Sequence, residues 1–477
     1  PLIVSVRSGA PVSMPGMMET LLNVGLCEST LPGLLRQTGN PRLVWDAYRR
    51  LIATYGEVVT GLPGDLFESE LEKTTQGKDE RLLDFSALRD VSQRFLELYL
   101  ENAGHPFPQD VRVQLGGAVK AVYESWFLPK AKSYRKLHDI DKDIGTAVTI
   151  QRMVFGNSGS HSGAGVGFTR NPTSGEKSIW VDFLANAQGE DVVAGQRNAK
   201  GHEVLTLTAP QAWSELQSVA ERLEHEFLDM QDFEFTVEDG ALYMLQTRAG
   251  KRTPMAATRI AIDMFDEKLI DAEQALTRTD QIQDEDLSTL QRVTTTEGSS
   301  SPQAVKPLAE ATSACNGVTS GSIALDSRSA KELSSMGKQV ILVRQDAQTS
   351  DIEAFEHSAG LLTQRGARTS HAAVVARQMN KVCLVACQNL HIDMADRCLR
   401  IGEHALSEGD VITLDGNDGL VFEGSIATIK VPDETLLSRL HALRVSQSKS
   451  GKLASKKNKH SKRTCVMPDQ VHDAWPK

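Results

Sequence analysis

The stretch GARTSHAAVVARQMN, residues 366–380, sets a histidine at the mouth of a run of small apolar residues. Thr369 or Ser370 can cap a helix there by accepting a backbone N–H, while Ala372, Val375, Ala376 and Met379 recur on one helical face. His371 then stands in the first turn, where free N–H groups and the positive end of the dipole favour an anion by about 0.3–1 kcal/mol. A neutral imidazole is available at cellular pH and can attack phosphorus; the phosphoimidazole would turn its oxygens toward the helix donors. Arg365, Arg368 and Arg377 add cations nearby. The same histidine would also serve as an ordinary capping or packing residue, and residue type and position leave both readings open.

Three earlier stretches carry polar residues that a plain core would not select. In PLIVSVRSGAPVSMPGMM, Arg7 follows an apolar strand directly, so a permanent cation stands at the strand's end, fit for phosphate oxygens or for a surface ion pair. MQDFEFTVEDGALYMLQTR reads as a hairpin turning at Glu238-Asp239-Gly240. That pairing brings Glu234 near Gln246, two hard oxygen donors of the kind Mg²⁺ accepts beside nucleotide phosphates, with Asp232 and Arg248 at the strand ends. Alternating polar residues on a strand also serve simply to face water. In FGNSGSHSGAGVGFTRNP the glycines permit close backbone approach to a ligand or a flexible lid, and Glu190 and Asp191 follow an apolar strand further on.

These groups need elements to hold them. At 477 residues, 40% apolar and 24% charged, the chain is long enough for two or more domains with their own cores. Residues 1–262 mix strands with helices such as 87–100, where Leu88, Val91, Phe95 and Leu98 share a face. Residues 263–305 read as a helical segment ending in a Thr/Ser/Gly-rich linker, TTTEGSSSPQ. From 306 to 430 short apolar runs (QVILV, AGLLT, VCLVA, VITLDG, LVFEG) alternate with turn residues, as in a compact β-rich domain crossed by a few helices. The Lys/Ser-rich stretch 431–477 has the composition of a solvated, disordered tail.

No run reaches the roughly 18 apolar residues of a membrane span, and PLIVSVRSGA lacks the pattern of a secretory signal, so a cytoplasmic location is expected. The chain opens on a strand without Met, so it is read as a fragment, with room for an organelle-targeting segment upstream. The net charge of −10 argues against a nucleic-acid surface. Cys27, Cys315, Cys383, Cys387, Cys398 and Cys465 show no metal-ligand spacing and read as reduced thiols. Neither a Walker loop nor a dinucleotide fingerprint occurs, so phosphate chemistry would need another scaffold.

The histidine segment resembles the phosphohistidine motif of the pyruvate, phosphate dikinase family, usually GGMTSHAAVVARGMGK. SVRSGA, SMPGMM, FTRNP, NAQGEDVVAG, EFTV and GKR resemble that family's nucleotide domain, and the likeness spans about residues 1–430. It implies an α/β and α+β multidomain fold, an ATP-grasp nucleotide-binding domain followed by a swivelling β/β/α phosphohistidine domain. It further implies that His371 carries phosphate, that Arg7 binds ATP phosphates, that Gln151 and Met153 lie near adenine and that Glu190 faces the ribose. Asp232, Glu234, Gln246 and Arg248 would form the phosphate and Mg²⁺ cluster, and Thr369 would be a regulatory phosphorylation site or a plain N-cap.

The implied full reaction is ATP plus phosphate plus pyruvate to AMP, diphosphate and phosphoenolpyruvate, with pyruvate bound on a barrel domain and a homodimer among the allowed assemblies. A lysine-bearing opening segment and that barrel are not recognisable here. Pro11 stands where a second arginine is usual, and Ala367, Arg368, Gln378 and Asn380 replace Gly, Met, Gly and Gly around the histidine. A phosphohistidine carrier needing a partner for the pyruvate step, and a silent truncated homologue, are the alternative readings.

Overall fold

The computed structural model describes residues 1–12, 14, 16–76, 79–137, 139–193, 201–293, 306–346 and 351–457. The expected linker around Ser300, Cys465 and the last part of the basic tail lie outside the described residues.

The first layer is a three-stranded antiparallel sheet in the order β2-β1-β3, built from β1 (Val4–Gly9), β2 (Thr20–Val24) and β3 (Ala147–Arg152). Helices Pro41–Tyr55 and Phe85–Ala103 contribute to its core. The second of these starts where the Asp84 carboxylate accepts the Ala87 N–H at 2.8 Å and stops at Gly104, whose φ of 74° is one that side chains other than glycine resist. Its apolar positions Leu88, Val91, Phe95 and Leu98 are all buried, as the periodicity predicts.

A second antiparallel sheet follows, β4 (Gly163–Phe168), β5 (Trp180–Ala185), β6 (Gln231–Glu238) and β7 (Ala241–Ala249), in the order β5-β4-β6-β7. The expected hairpin is present, its tight corner made by Asp239 and Gly240 with φ of 49° and 83°. The glycines of β4 correct an expectation. Added Cβ atoms at Gly163, Gly165 and Gly167 would lie 2.2, 2.3 and 2.8 Å from the rings of Phe183, Phe235 and Phe233. These glycines therefore make room for an aromatic layer rather than for a ligand or lid. Beneath this layer lies helix Pro210–Phe227, which gives Ala212 and Leu216 to the same cluster. The buried Arg170 guanidinium grips Glu224 of that helix at 2.8 and 3.0 Å and Glu267 at 2.9 Å.

The region from Ala309 to Glu423 is an eight-stranded mixed sheet of β9 (Ala309–Glu310), β10 (Thr312–Cys315), β11 (Val318–Ala324), β12 (Val340–Arg344), β13 (Gly360–Thr363), β14 (Val382–Val385), β18 (Val411–Asp415) and β19 (Leu420–Glu423). A small meander, β15 (Leu390–Asp393), β16 (Cys398–Ile401) and β17 (His404–Ser407), sits beside it. Strands β11 to β14 run parallel, buried and Val/Leu/Ile-rich, which is why their apolar runs stand out without alternation. Cys27, Cys315, Cys383 and Cys387 are buried free thiols.

The expectation of a structureless segment from residue 431 is corrected. Strand β20 (Thr428–Pro432) pairs antiparallel with β8 (Ser288–Arg292), and helix Glu434–Lys457 follows. Leu436, Leu440 and Leu443 pack with Ile260, Met264 and Leu287, so residues 254–292 and 428–443 share one core. Arg439 bonds Asp263 at 2.8 Å and Asp266 at 2.7 Å, and Arg259 bonds Asp433 at 3.0 Å. Lysine-rich composition concealed an apolar stripe spaced three and four residues apart. Because Leu440 is fully buried, Leu440→Ala is expected to destabilise this unit by about 2–5 kcal/mol. A urea midpoint equal to that of the parent would show that the helix packs on nothing.

Candidate functional site

The site follows from the register of the second sheet. Val166 lies opposite Asp182 on one side and Glu234 on the other, and Glu234 lies opposite Gln246. Two residues along, Phe168 lies opposite Trp180 and Asp232, and Asp232 lies opposite Arg248. Directly paired residues share a sheet face, so all of these groups project from the face opposite the Phe183, Phe233 and Phe235 layer.

At one end of that face the predicted polar cluster assembles. Glu234 accepts from Arg7 Nη1 at 2.9 Å and from Arg248 Nη2 at 3.2 Å, and the same Arg248 nitrogen donates to Gln246 at 2.8 Å. Arg7 thus reaches from the first sheet to the second, and its buried Nε has no hydrogen-bond partner among the described residues. Burial pushes the Asp232 carboxyl up to about 6, opposed by Arg248 and reinforced by Glu234.

Arg7, Gln151, Met153, Gln188 and Gly189 line a cavity of about 20 Å³ between the sheets. Glu190 follows Gly189 in the short helix Gly189–Val193, and burial raises its carboxyl, with Arg50 acting against the rise. Arg50 also bonds the neighbouring Asp191 at 3.0 Å, Glu80 at 3.0 Å and Asp46 at 3.2 Å, which anchors this turn to the helical layer.

The region built on the eight-stranded sheet meets the other end of the same face. Helix His371–Gln378 starts at Ser370, whose hydroxyl accepts the Ala373 N–H at 3.4 Å. The side chains of His371 and Ala372 lie outside the described residues. Val375 and Ala376 are buried and Met379 partly so, as the sequence pattern requires. Thr369 is not the cap: its backbone N–H and its hydroxyl both donate to Asp182 Oδ2, at 2.9 and 3.1 Å. Arg368 Nε donates to Asp182 Oδ1 at 3.0 Å while its guanidinium lies 4.6 Å over Trp180.

The expected cationic help around the histidine is therefore largely committed elsewhere. Arg377 is fully buried, donates to the carbonyls of Ala314 and Arg368 at 3.1 and 2.5 Å, and stacks 5.2 Å from Phe168 and 5.0 Å from Trp180. Gln378 accepts from the Tyr134 hydroxyl at 3.1 Å. Arg368 and Gln378, two of the departures from the usual motif, are thus both contacts to the nucleotide region. Asn380 has φ of 51°, a left-handed conformation that asparagine tolerates in place of glycine.

Sequence reading missed Asp182. Its signal was present: a single carboxylate inside the apolar strand run WVDFLA must find a partner once buried.

Two family patterns match this sequence. The one described as "Pyruvate phosphate dikinase, AMP/ATP-binding domain" covers residues 2–210 and 196–269, and "PEP-utilising enzyme, mobile domain" covers 336–419. The pyruvate, phosphate dikinase of Clostridium symbiosum is 44% identical over 435 residues, covering 90% of this chain and 49% of that protein. That of Rhizobium meliloti (strain 1021) is 42% identical over 447 residues, again 90% and 49%. The chloroplastic pyruvate, phosphate dikinase 1 of Zea mays is 42% identical over 429 residues, 89% and 44%. The chain therefore spans about half the length of the curated relatives it matches. No described helix is long and apolar enough to cross a membrane.

Two outcomes are expected. Asp182→Ala removes three docking bonds and leaves Arg368 without its ion pair, weakening the association of the two regions by about 1–3 kcal/mol. Small-angle scattering would register the larger radius of gyration, and an unchanged profile would show that Asp182 does not hold the carrier region in place. The Asp232 carboxyl titrates near pH 4 in the unfolded chain and at about 6 when folded. Between those values the folded, metal-free protein binds the extra proton, so its stability falls as pH rises through this window. Asp232→Asn should flatten that slope in urea midpoints taken from pH 4 to 7.

Proposed function

The chain belongs to the pyruvate phosphate dikinase family through its AMP/ATP-binding domain, and from that footing we propose that it transfers a phosphoryl group from ATP to the imidazole of His371. The observation that carries this reading is the shared sheet face. The start of the His371 helix docks on Asp182, two strands from Glu234, and at about 4.8 Å per strand that separation is roughly 10 Å. A nucleotide whose phosphates lie on Arg7 and Arg248 would present them toward that helix.

In this reading each residue has a chemical task. Arg7 and Arg248 exchange Glu234 for phosphate oxygens, gaining bidentate, charge-assisted bonds. Gln151 and Met153 hold the adenine, and Glu190 takes the ribose. Among the described residues no three His, Cys, Asp or Glu side chains gather into a self-sufficient metal site. Mg²⁺ asks for less, commonly one or two protein oxygens with the rest from phosphate and water, and Glu234 beside Gln246 offers that donor set. When bound there, Mg²⁺ would neutralise charge on the phosphate chain.

The products AMP and diphosphate require a definite order of bonds. The imidazole nitrogen forms its bond to the β-phosphorus, the bond from that phosphorus to the α–β bridging oxygen breaks, and AMP departs with the electron pair. Inorganic phosphate then takes the outer phosphoryl as diphosphate, which leaves one phosphoryl on His371. Its onward transfer to the enolate oxygen of pyruvate is assigned to the barrel-bearing whole enzyme, and Thr369, beside the histidine, to regulation. A phosphate on Thr369 would add about −1.5 to −2 charges against Asp182, so modification and docking exclude one another.

The test is labelling with ATP carrying ³²P at the β position, with Mg²⁺ and inorganic phosphate. The parent chain is expected to take up acid-labile, base-stable label and His371→Gln to take up none. Equal label in both would remove His371 from the reaction. No label in either would leave the family fold without its chemistry.

A further inference from the structure

Beside the polar cluster lies a second, larger cavity, of about 320 Å³, lined by Ser8, Pro11, Gln246, Arg248 and Lys251 among others. It is roomier than the space at Gln151 and Met153 along the proposed nucleotide seam, and it lies on the phosphate side of that seam.

Lys251 is partly buried and forms no hydrogen bond or ion pair with any described residue. Its neighbours are otherwise engaged: Arg252 is held by Asp229 at 2.8 Å, and Arg248 by Glu234 and Gln246. Burial, then the nearby Arg252 charge, lower the affinity of the Lys251 amine for its proton. An unpaired ammonium in such a place is poorly solvated, and an oxyanion in the cavity would relieve both the desolvation and the repulsion. Pro11, where the resemblance expects an arginine, lines the same cavity and cannot supply a cation.

We propose that Lys251 is a phosphate-binding residue of this site, with its ammonium holding a phosphate oxyanion in the cavity it shares with Arg248 and supplying the cation missing at Pro11. The inference rests on the nucleotide reading above and deepens it. The oxyanion has two sources of one chemistry, the terminal phosphoryl of ATP and free inorganic phosphate.

Titration calorimetry of the full chain with ATP, AMP and inorganic phosphate separates them. The parent should bind ATP more tightly than AMP. Lys251→Met is expected to weaken ATP on the order of ten- to a hundredfold while AMP stays within about twofold, and Lys251→Arg to restore much of the loss. The AMP value doubles as the check that the variant is folded and its nucleoside side intact. Loss confined to ATP assigns the ammonium to the terminal phosphoryl, and loss confined to inorganic phosphate assigns it to the free ion. Lys251→Met with parental affinity for both overturns the assignment and leaves the nucleotide reading standing, whereas a parent that fails to prefer ATP overturns both.

Discussion

The register of one antiparallel sheet governs everything the candidate site contains. Because side chains alternate with a period of two, a slip of a single residue would turn to the opposite side Asp182 if β5 moved, Asp232 and Glu234 if β6 moved, and Gln246 and Arg248 if β7 moved. What prevents that slip is on the other face. The rings of Phe183, Phe233 and Phe235 fill spaces that only the glycines of β4 leave open, and a shifted strand would drive Ala164, Val166 or Phe168 into those rings. The apolar layer therefore fixes the direction in which the polar groups point. Chemistry on one face depends on tight packing at the other.

The second dependence is electrostatic. A carboxylate as buried as Asp182 has to be neutralised and hydrogen-bonded, and the described residues that do so come from the other region of the chain. Asp182 would be poorly satisfied alone, so the docked arrangement answers a need that the nucleotide region cannot meet from its own strand. The partners are the two residues preceding the helix cap, which brings the first turn of the His371 helix against the sheet and leaves the rest of the helix to pack into the carrier core. Val374, Arg377 and Gln378 are exceptions: Val374 joins the cluster of Phe168, Met230 and the C-terminal leucines, Arg377 lies against Phe168 and Trp180, and Gln378 bonds Tyr134, so several parts of the chain meet at this helix.

Much of this was legible in the sequence where a local rule dominates. The hairpin corner at Asp239-Gly240, the Ser370 cap, the strands of the carrier region and the face of helix Phe85–Ala103 follow from turn chemistry and periodicity. The nearness of Glu234 and Gln246 followed from the hairpin, although regular pairing outward from Glu238 and Ala241 puts Glu234 opposite Leu245; a register shift between Glu234 and Phe235 makes Gln246 the partner. Other features depend on distant partners. The glycines of β4 looked like a ligand loop because the aromatic residues that explain them lie 20 to 70 positions further on. The C-terminal leucines were hidden by flanking lysine and serine, since only the Pro254–Asp266 helix gives their stripe something to cover. Arg368 and Arg377 looked like cations for a phosphate because a sequence does not show that a carboxylate, three carbonyls and two aromatic faces already claim them.

A carrier domain has to leave its first site to be of use at a second, so contacts that hold it docked oppose turnover as well as favour capture. Here two positions that the family usually fills with Met and Gly hold Arg368 and Gln378, and both reach across the junction, to Asp182 and to Tyr134. Each added contact lowers the free energy of the docked state; unless the undocked state gains an equal one, the swing becomes rarer by about tenfold for every 1.4 kcal/mol. The nucleotide end is balanced in a comparable way. In the proposed site Arg7 and Arg248 are already paired with Glu234, so an incoming phosphate chain would gain only the difference between its own bonds and those it displaces, whereas the Lys251 ammonium, paired with no described residue, has no such bond to give up. On that proposed reading, discrimination between a nucleotide with its terminal phosphoryls and one without them should depend more on Lys251 than on the two arginines already paired with Glu234.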